Sequence, residues 1–330
     1  PYFAHATWKA WLAIKNDNVV GRISAQVDQL YLEHYKTPVG FFGMLEAIDD
    51  EAVFRSLFAT GESWLREQNM RQVQGPFNFS INQECGLLVE GFDTPPSIMM
   101  GHALPYYSTR VEEQGYKTAQ DLLAYQIKPD FTAPPAMTAL CKITKEKLHI
   151  RPFCRENRRE EFETLRDIFN DAWSNNWGFL PFTKEEFDDI GSMLAFLVDD
   201  NFINIAELDG EPVAMIAILP NINEIIRDLN GRLLPFGWLK ILWRLKVKYP
   251  STARVALMGV RKRFHKSRQG QALAFLMIES IRGPVLRRGI RDVELSWILK
   301  NNTGMCKIIE AIGGIPYKTS RIYEKSLLDD

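Results

Sequence analysis

Cysteine is scarce. Cys85, Cys141, Cys154 and Cys306 are the only four in 330 residues, no two form a CxxC pair, and the five histidines show no HxxxH spacing. Neither a disulfide framework nor a zinc site is expected, and no metal ligand is assigned. Long apolar runs are missing too: none reaches the roughly 18 residues that a membrane span needs. The N-terminus has no charged stretch followed by an apolar core and a small-residue cleavage site. A cytoplasmic protein is therefore expected, although the chain begins abruptly in the strand-like Trp8 to Lys15, which suggests a segment removed upstream. The last absence is local, since no acidic residue lies between Asp228 and Glu279. Eleven basic ones do: Arg232, Lys240, Arg244, Lys246, Lys248, Arg254, Arg261, Lys262, Arg263, Lys266 and Arg268. A solvated face usually mixes both signs, and the whole chain carries a net charge of only −1. An anionic partner is expected beside this window, and no nucleic acid is assigned.

What is present reads as a globular protein, 46% hydrophobic and 25% charged, too long for one core. "WKAWLAIKNDNVVGRISAQVDQ" alternates as a hairpin around an Asp-Asn turn. "VGFFGMLEA" reads as a strand, Glu51 to Gln68 as a helix and "RQVQGPFN" as another strand. "IKPDFTAPPAMTA" is rich in Pro and small residues, which predicts a linker over 129–145 between domains at 1–128 and 146–330. Beyond it, Thr183 and Glu186 form a capping box, and Asp209-Gly210 marks a hairpin. The second half reads in the order β-α-α-β-β-β-α-β-α-β.

A weak internal repeat relates the halves. Residues 65–82 align with 286–302, matching Arg71 to Arg291, Val73 to Val293, Phe77 to Trp297 and Asn82 to Asn302. "VEEQGYKT" then lies against "IEAIGGIPYKT". Between these blocks the first copy carries about twenty extra residues.

Gln269-Gly270-Gln271-Ala272-Leu273-Ala274 follows a strand and opens a helix. On this stretch the second half, over roughly 146–328, resembles the GNAT superfamily of acyl-CoA-dependent N-acyltransferases. The tandem arrangement is similar to bacterial two-copy GNAT proteins, some of them ceramide-synthase-like enzymes that acylate a long-chain amine. The resemblance implies an α/β (α+β) fold of two units, each a mixed, mainly antiparallel sheet flanked by helices. It also implies acyl-CoA as co-substrate, with backbone N–H groups of that turn on the pyrophosphate. Ala272 stands where the first glycine is usual, but alanine keeps its N–H. Physics agrees, because a helix N-terminus offers unpaired N–H donors and about half a positive charge. Arg261, Arg263, Lys266 and Arg268 lie close enough in sequence to add to it.

The resemblance extends to Asn302, matching an asparagine that touches the pantetheine arm, and to Met258, Gly259 and Val260, whose strand supplies a backbone donor for the oxyanion. Ile309 stands where many members place a tyrosine that protonates the leaving thiolate. That proton then comes from solvent, or from Tyr317 or Tyr323 unless these are packed strand residues. Glu294 is a candidate proton relay, or else the partner of Arg291.

The first copy follows its strand with "IDDEAVF", whose acids would repel pyrophosphate. Its loop "GPFNFSINQECGLLVEGFDTPPSIMMGHALPYY" is dense in Gly, Pro and aromatics. It is read as part of the acceptor pocket, with Asn78, Asn82, Tyr106 and Tyr107 as contacts and His102 or Glu84 as base, or as a structural loop. Trp173, Trp177, Phe179 and Phe182 line an apolar channel or are core, and Trp297 is a further expected substrate contact. Residues 233–248 predict a basic amphipathic helix from Pro235 that lies at a membrane surface, covers a long acyl chain, or packs on the sheet. The expected activity is direct acyl transfer to a primary amine, lipid-like. The alternatives are acetyl or aminoacyl transfer to a polar amine, and a non-catalytic acyl-CoA-binding protein.

Overall fold

Asn16 and Asp17, both with left-handed backbones (φ 51° and 60°), join β1 (Ala6–Lys15) to β2 (Asn18–Asp28). Asn and Asp tolerate that region better than most residues. The turn thus sits one residue earlier than the Asp-Asn pair expected. The computed structural model describes residues 1–144, 148–195 and 198–328. It divides into two units, Pro1–Leu123 with Lys318–Asp330, and Ala124–Tyr317.

In the first unit, α1 (Gln29–Tyr35) leads to β3 (Val39–Ala47), antiparallel to β2. A crossover through α2 (Glu51–Glu67) then returns the chain parallel to β3 as β4 (Gln72–Gly75). One face of α2 buries Val53, Phe54, Leu57, Phe58 and Leu65 in a core that includes Ile23, Ala25 and Phe42. The loop that follows holds β5 (Phe77–Asn78), β6 (Glu84–Cys85), β7 (Leu87–Glu90) and α3 (Tyr106–Glu112), before β8 (Lys117–Ile127), which enters the second unit after Leu123.

The second unit opens with α4 (Pro135–Thr144), in the stretch expected to be a linker. That stretch is tied down where it is described: Met137 is buried, and Arg282 donates to the carbonyls of Pro129 and Phe131 and stacks on the Phe131 ring. β9 (Leu148–Pro152), α5 (Arg158–Ala172), α6 (Lys184–Ala195), β10 (Ile203–Leu208) and β11 (Glu211–Pro220) follow. The Thr183–Glu186 capping box forms as expected, and Asp209-Gly210 turns β10 into β11 with φ of 52° and 81°. After α7 (Ile222–Ile226) and α8 (Gly237–Val247) come β12 (Thr252–Val260), α9 (Arg268–Arg287), β13 (Asp292–Leu299), α10 (Thr303–Ala311) and β14 (Ile315–Ser326). With α7 and α8 as an insertion, the order of strands and helices is the one expected. β9 to β12 pair antiparallel, and α9 carries the chain to β13, parallel to β12. Both units therefore contain a parallel pair made by a helical crossover, and the aligned Val73 and Val293 lie on its second strand.

From Lys318 onward β14 belongs to the first unit, where it pairs with β4 and β7. Lys325 meets Glu62 at 2.8 Å, and Arg66 donates to the Leu327 carbonyl. The boundary that kept 146–330 together does not describe this strand. No helix among the described residues is long and apolar enough to cross a membrane.

Candidate functional site

The parallel pair of the second unit opens like a fork. β12 and β13 pair from Thr252↔Asp292 to Val255↔Leu295, then continue to Val260 and Leu299 with no ladder between them. The cause is visible on the other edge of β12. Its register against β11 shifts, with Ala217 opposite Leu257 and Ile218 opposite Val255, so Ala256 is an extra residue. A bulge of this kind bends a strand away from its neighbour. Gly259 permits the bend to press on α5, since a Cβ there would lie 2.3 Å from the Trp173 ring.

A polar cluster closes the base of the fork. Arg254 (2% exposed) and Glu294 (4%) are register partners 3.7 Å apart. Arg254 Nε donates to Ser296 Oγ (2.8 Å), Ser296 Oγ donates to Glu294 (2.6 Å), and Tyr317 O–H donates to the other Glu294 oxygen. Burial, then the Glu294 charge, pushes the Tyr317 phenol well above its usual range. It stays protonated and cannot serve as a base. Glu294 is thus held by Arg254 rather than by Arg291, with Ser296 and Tyr317 each donating to one of its oxygens. Arg254 also lies over the Trp297 ring, 4.7 Å from its centre, and the buried Trp297 Nε1–H has no hydrogen-bond partner among the described residues.

At the open end, β12 runs through the turn Lys262–Phe264 to Lys266 (φ 59°) and Ser267, the N-cap of α9. Ser267 Oγ accepts from the Gly270 N–H (3.0 Å) and donates to the Phe264 carbonyl (2.6 Å). Gly270 is required by that approach, because a Cβ would sit 2.1 Å from Phe264 O. The Gln271 N–H donates to Ser267 O. Ala272, Leu273 and Ala274 lie within the helix with buried side chains. The expected cradle over Gln269 to Ala274 therefore narrows to the N–H groups of Arg268 and Gln269, which have no partner among the described residues.

The basic residues divide as sequence could not. Arg261 donates to Pro212 O and pairs with Asp167 at 2.5 Å, and Arg263 pairs with Glu211 at 2.6 Å. Both are occupied. Lys266 and Arg268 are exposed and have no ion-pair partner among the described residues. His265 Nε2 lies 2.7 Å from the Val260 carbonyl; a carbonyl only accepts, so that nitrogen carries the proton. Met258 is half-buried on the same strand. Asn302 caps α10 by accepting from Met305 N–H, and Ile309, where the tyrosine was missing, is fully buried.

Several expected substrate contacts have partners within the protein. Phe179 and Phe182 are buried in the α5–α6 core, whereas Trp177 is half-buried. Tyr106 donates to the Ala47 carbonyl, and Tyr107 O–H bridges Glu46 and Ala47, so both hydroxyls secure the end of β3. Asn78 accepts from Met44 N–H and donates to Glu84, which fixes β5 to β6 and occupies Glu84. Asn82 N–H donates to Ser80. His102 is exposed, without a hydrogen bond among the described residues. The α2 N-terminus is closed by its own Asp50, which accepts from Ala52 N–H.

The insertion presents a different surface. α8 begins at Gly237, two residues after the expected start, and turns Ile241, Leu242 and Leu245 inward. Lys240 and Arg244 clamp it to Asp228. Leu233, Leu234, Phe236, Trp238, Leu239, Trp243 and Val247 are 46–79% exposed.

No protein-family profile matches the chain. It is 50% identical over 324 residues to Protein YghO of Escherichia coli K12, covering 98% of this chain and 83% of that protein. It is 45% identical over 331 residues to the bacterial ceramide synthase of Caulobacter vibrioides, covering 99% and 86%. Among solved structures it resembles a tandem GNAT protein from the clavulanic acid biosynthesis pathway, with a TM-score of 0.55 and 12% identity over 99% of this chain and 85% of that one. It likewise resembles a GCN5-related N-acetyltransferase from Sphaerobacter thermophilus, with a TM-score of 0.55 and 14% identity over 97% and 81%.

Proposed function

The chain belongs to the family of the bacterial ceramide synthase and Protein YghO, and its fold is that of tandem GNAT proteins; on that premise we propose that it transfers an acyl group from acyl-CoA directly to the primary amine of a long-chain, lipid-like acceptor. The observation that carries this reading is the fork between β12 and β13 beside a helix N-terminus with two N–H groups and two cations that have no partner among the described residues. The N–H groups of Arg268 and Gln269, with the side chains of Lys266 and Arg268, would hold the phosphates. The orphaned Trp297 N–H would donate to a carbonyl of the donor in the fork, and the amide of Asn302 would face the pantetheine arm.

In the reaction a neutral amine attacks the thioester carbonyl, the C–N bond forms and the C–S bond breaks. The departing thiolate, with an ordinary pKa near 8.5, takes its proton from water. The amine's proton also leaves to water, since Tyr317 stays protonated and Glu294 is buried at the base of the fork, engaged by Ser296, Tyr317 and Arg254. Arg254 and Glu294 act by holding the base of the fork.

The lipid acceptor rests on the name of one relative and on the apolar face of residues 233–247. With Arg232, Lys246 and Lys248 exposed around it, that face suits an anionic membrane surface, where such an acceptor resides. The second reading, a non-catalytic acyl-CoA-binding protein, is favoured by the buried Ile309. Thiol release from long-chain acyl-CoA, measured with a long-chain primary amine in vesicles and with a polar amine, separates the readings. Turnover only with the polar amine overturns the lipid acceptor, and no release with either amine overturns transfer.

A further inference from the structure

The second unit holds a cavity of about 670 Å³ that the donor site does not use. It lies between α4, β9, β10 and the carboxyl-terminal half of α9. Ala133, Met137, Ile150, Pro152, Leu276 and Pro284 give it apolar walls. Its volume is that of a small-molecule site, typically about 300–1,000 Å³.

Charge at the rim indicates the occupant. Lys142 on α4 and Arg287 on α9 both line the cavity, are exposed, and have no ion-pair partner among the described residues. The acid beside them, Glu279, is engaged by Arg282 at 2.6 Å. Deeper in, Asn204 (6% exposed) donates to Ser280 Oγ, which donates to the Met277 carbonyl. These polar groups serve one another, so the unmet demand is for negative charge at the mouth and hydrocarbon inside.

We propose that this cavity binds a long-chain carboxylate, with its tail between α4 and α9 and its carboxylate between Lys142 and Arg287. The site is separate from the acyl-donor site and does not depend on the transferase reading. It does share a helix with the donor site: Leu276 lines the cavity and lies seven residues, about two turns, beyond Gln269.

Displacement of a fluorescent long-chain fatty acid by oleate, measured on the full chain, tests the proposal. Saturable binding is expected, at least about tenfold weaker in the double variant Lys142→Glu, Arg287→Glu, because two charge-assisted contacts become repulsive. Thr138→Trp, at an exposed position on the cavity wall, should weaken it as well. Coenzyme A should not displace the probe, and oleyl alcohol should compete far less than oleate. Because a variant could misfold, oleate should also slow alkylation of Cys141, which lines the cavity, in the unaltered protein while leaving Cys306 unchanged. Binding untouched by charge reversal, equal competition by the alcohol, displacement by coenzyme A, or unprotected Cys141 would each overturn it.

Discussion

Arg254 and Glu294 face each other across the last paired stretch of β12 and β13, 3.7 Å apart and almost wholly buried. Removing one partner leaves the other charge buried without its counter-charge, which costs about 3–5 kcal/mol. Glu294→Gln and Arg254→Met should each lower stability by that amount in urea unfolding. The double variant should lose less than their sum, since the two sites interact directly. Additive losses would mean that the pair is not coupled.

Gly270→Ala places a methyl group against the Phe264 carbonyl, a backbone atom that cannot swing aside. The turn must open, at a cost of roughly 1–3 kcal/mol. Calorimetric binding of coenzyme A should weaken by about tenfold or more as the two open N–H groups are re-aimed. A variant that binds normally would place the phosphates elsewhere.

Lys266→Ala and Arg268→Ala should each weaken coenzyme A binding by about tenfold. Arg263→Ala should leave it within about threefold, because Arg263 is spent on Glu211 in an exposed pair. Raising ionic strength should shrink the Lys266 and Arg268 effects. The reverse ranking would show that Arg263 leaves Glu211 to meet the ligand.

Trp297→Phe keeps a ring under Arg254 but removes an N–H that is buried with no acceptor. Free protein should be unchanged or slightly more stable, since an unmet donor costs about 1–3 kcal/mol. Affinity for acyl-CoA should fall. A loss of stability together with unchanged affinity would mean that the N–H serves only the fold.

Hydrogen bonds from Arg244, then Lys240, hold the Asp228 carboxyl well below its usual 3.8. The folded state therefore binds this proton less tightly than the unfolded chain does. The clamp's contribution is complete above about pH 3.8 and is lost as pH falls through the depressed folded value. Hydrogen exchange of α8 amides should accelerate as pH drops below that point, after correction for the intrinsic rate. Asp228→Asn should already show the faster exchange at pH 7.

The second unit was legible because its signals are local. Capping boxes, Asp-Gly turns and apolar periods act over a few residues, and they gave the order of its strands and helices, the Asp209-Gly210 turn and the start of α9. The site was legible only as far as its backbone. Which cations stay unpaired depends on Asp167 and Glu211, far away in sequence, and no spacing rule reports them. The Glu294 partner was missed for the same reason, although an arginine inside the apolar "ARVALMGV" was a usable sign, because a charge buried in a strand needs a partner on the next one. Tyr106 and Tyr107 misled through composition, since an aromatic-rich loop looks alike whether its hydroxyls meet a ligand or the Ala47 backbone.

The place of β14 bears on how the molecule is made. Lys325, Leu327 and the strand that carries them complete the sheet that begins with residues 6–15. Domains ordinarily fold as they leave the ribosome, amino-terminal part first. Here the earlier part must wait, with the edge of β4 uncovered, until β14 has been synthesised. Loss of residues 318–328 would injure the sheet built by residues 6–75, far away in sequence.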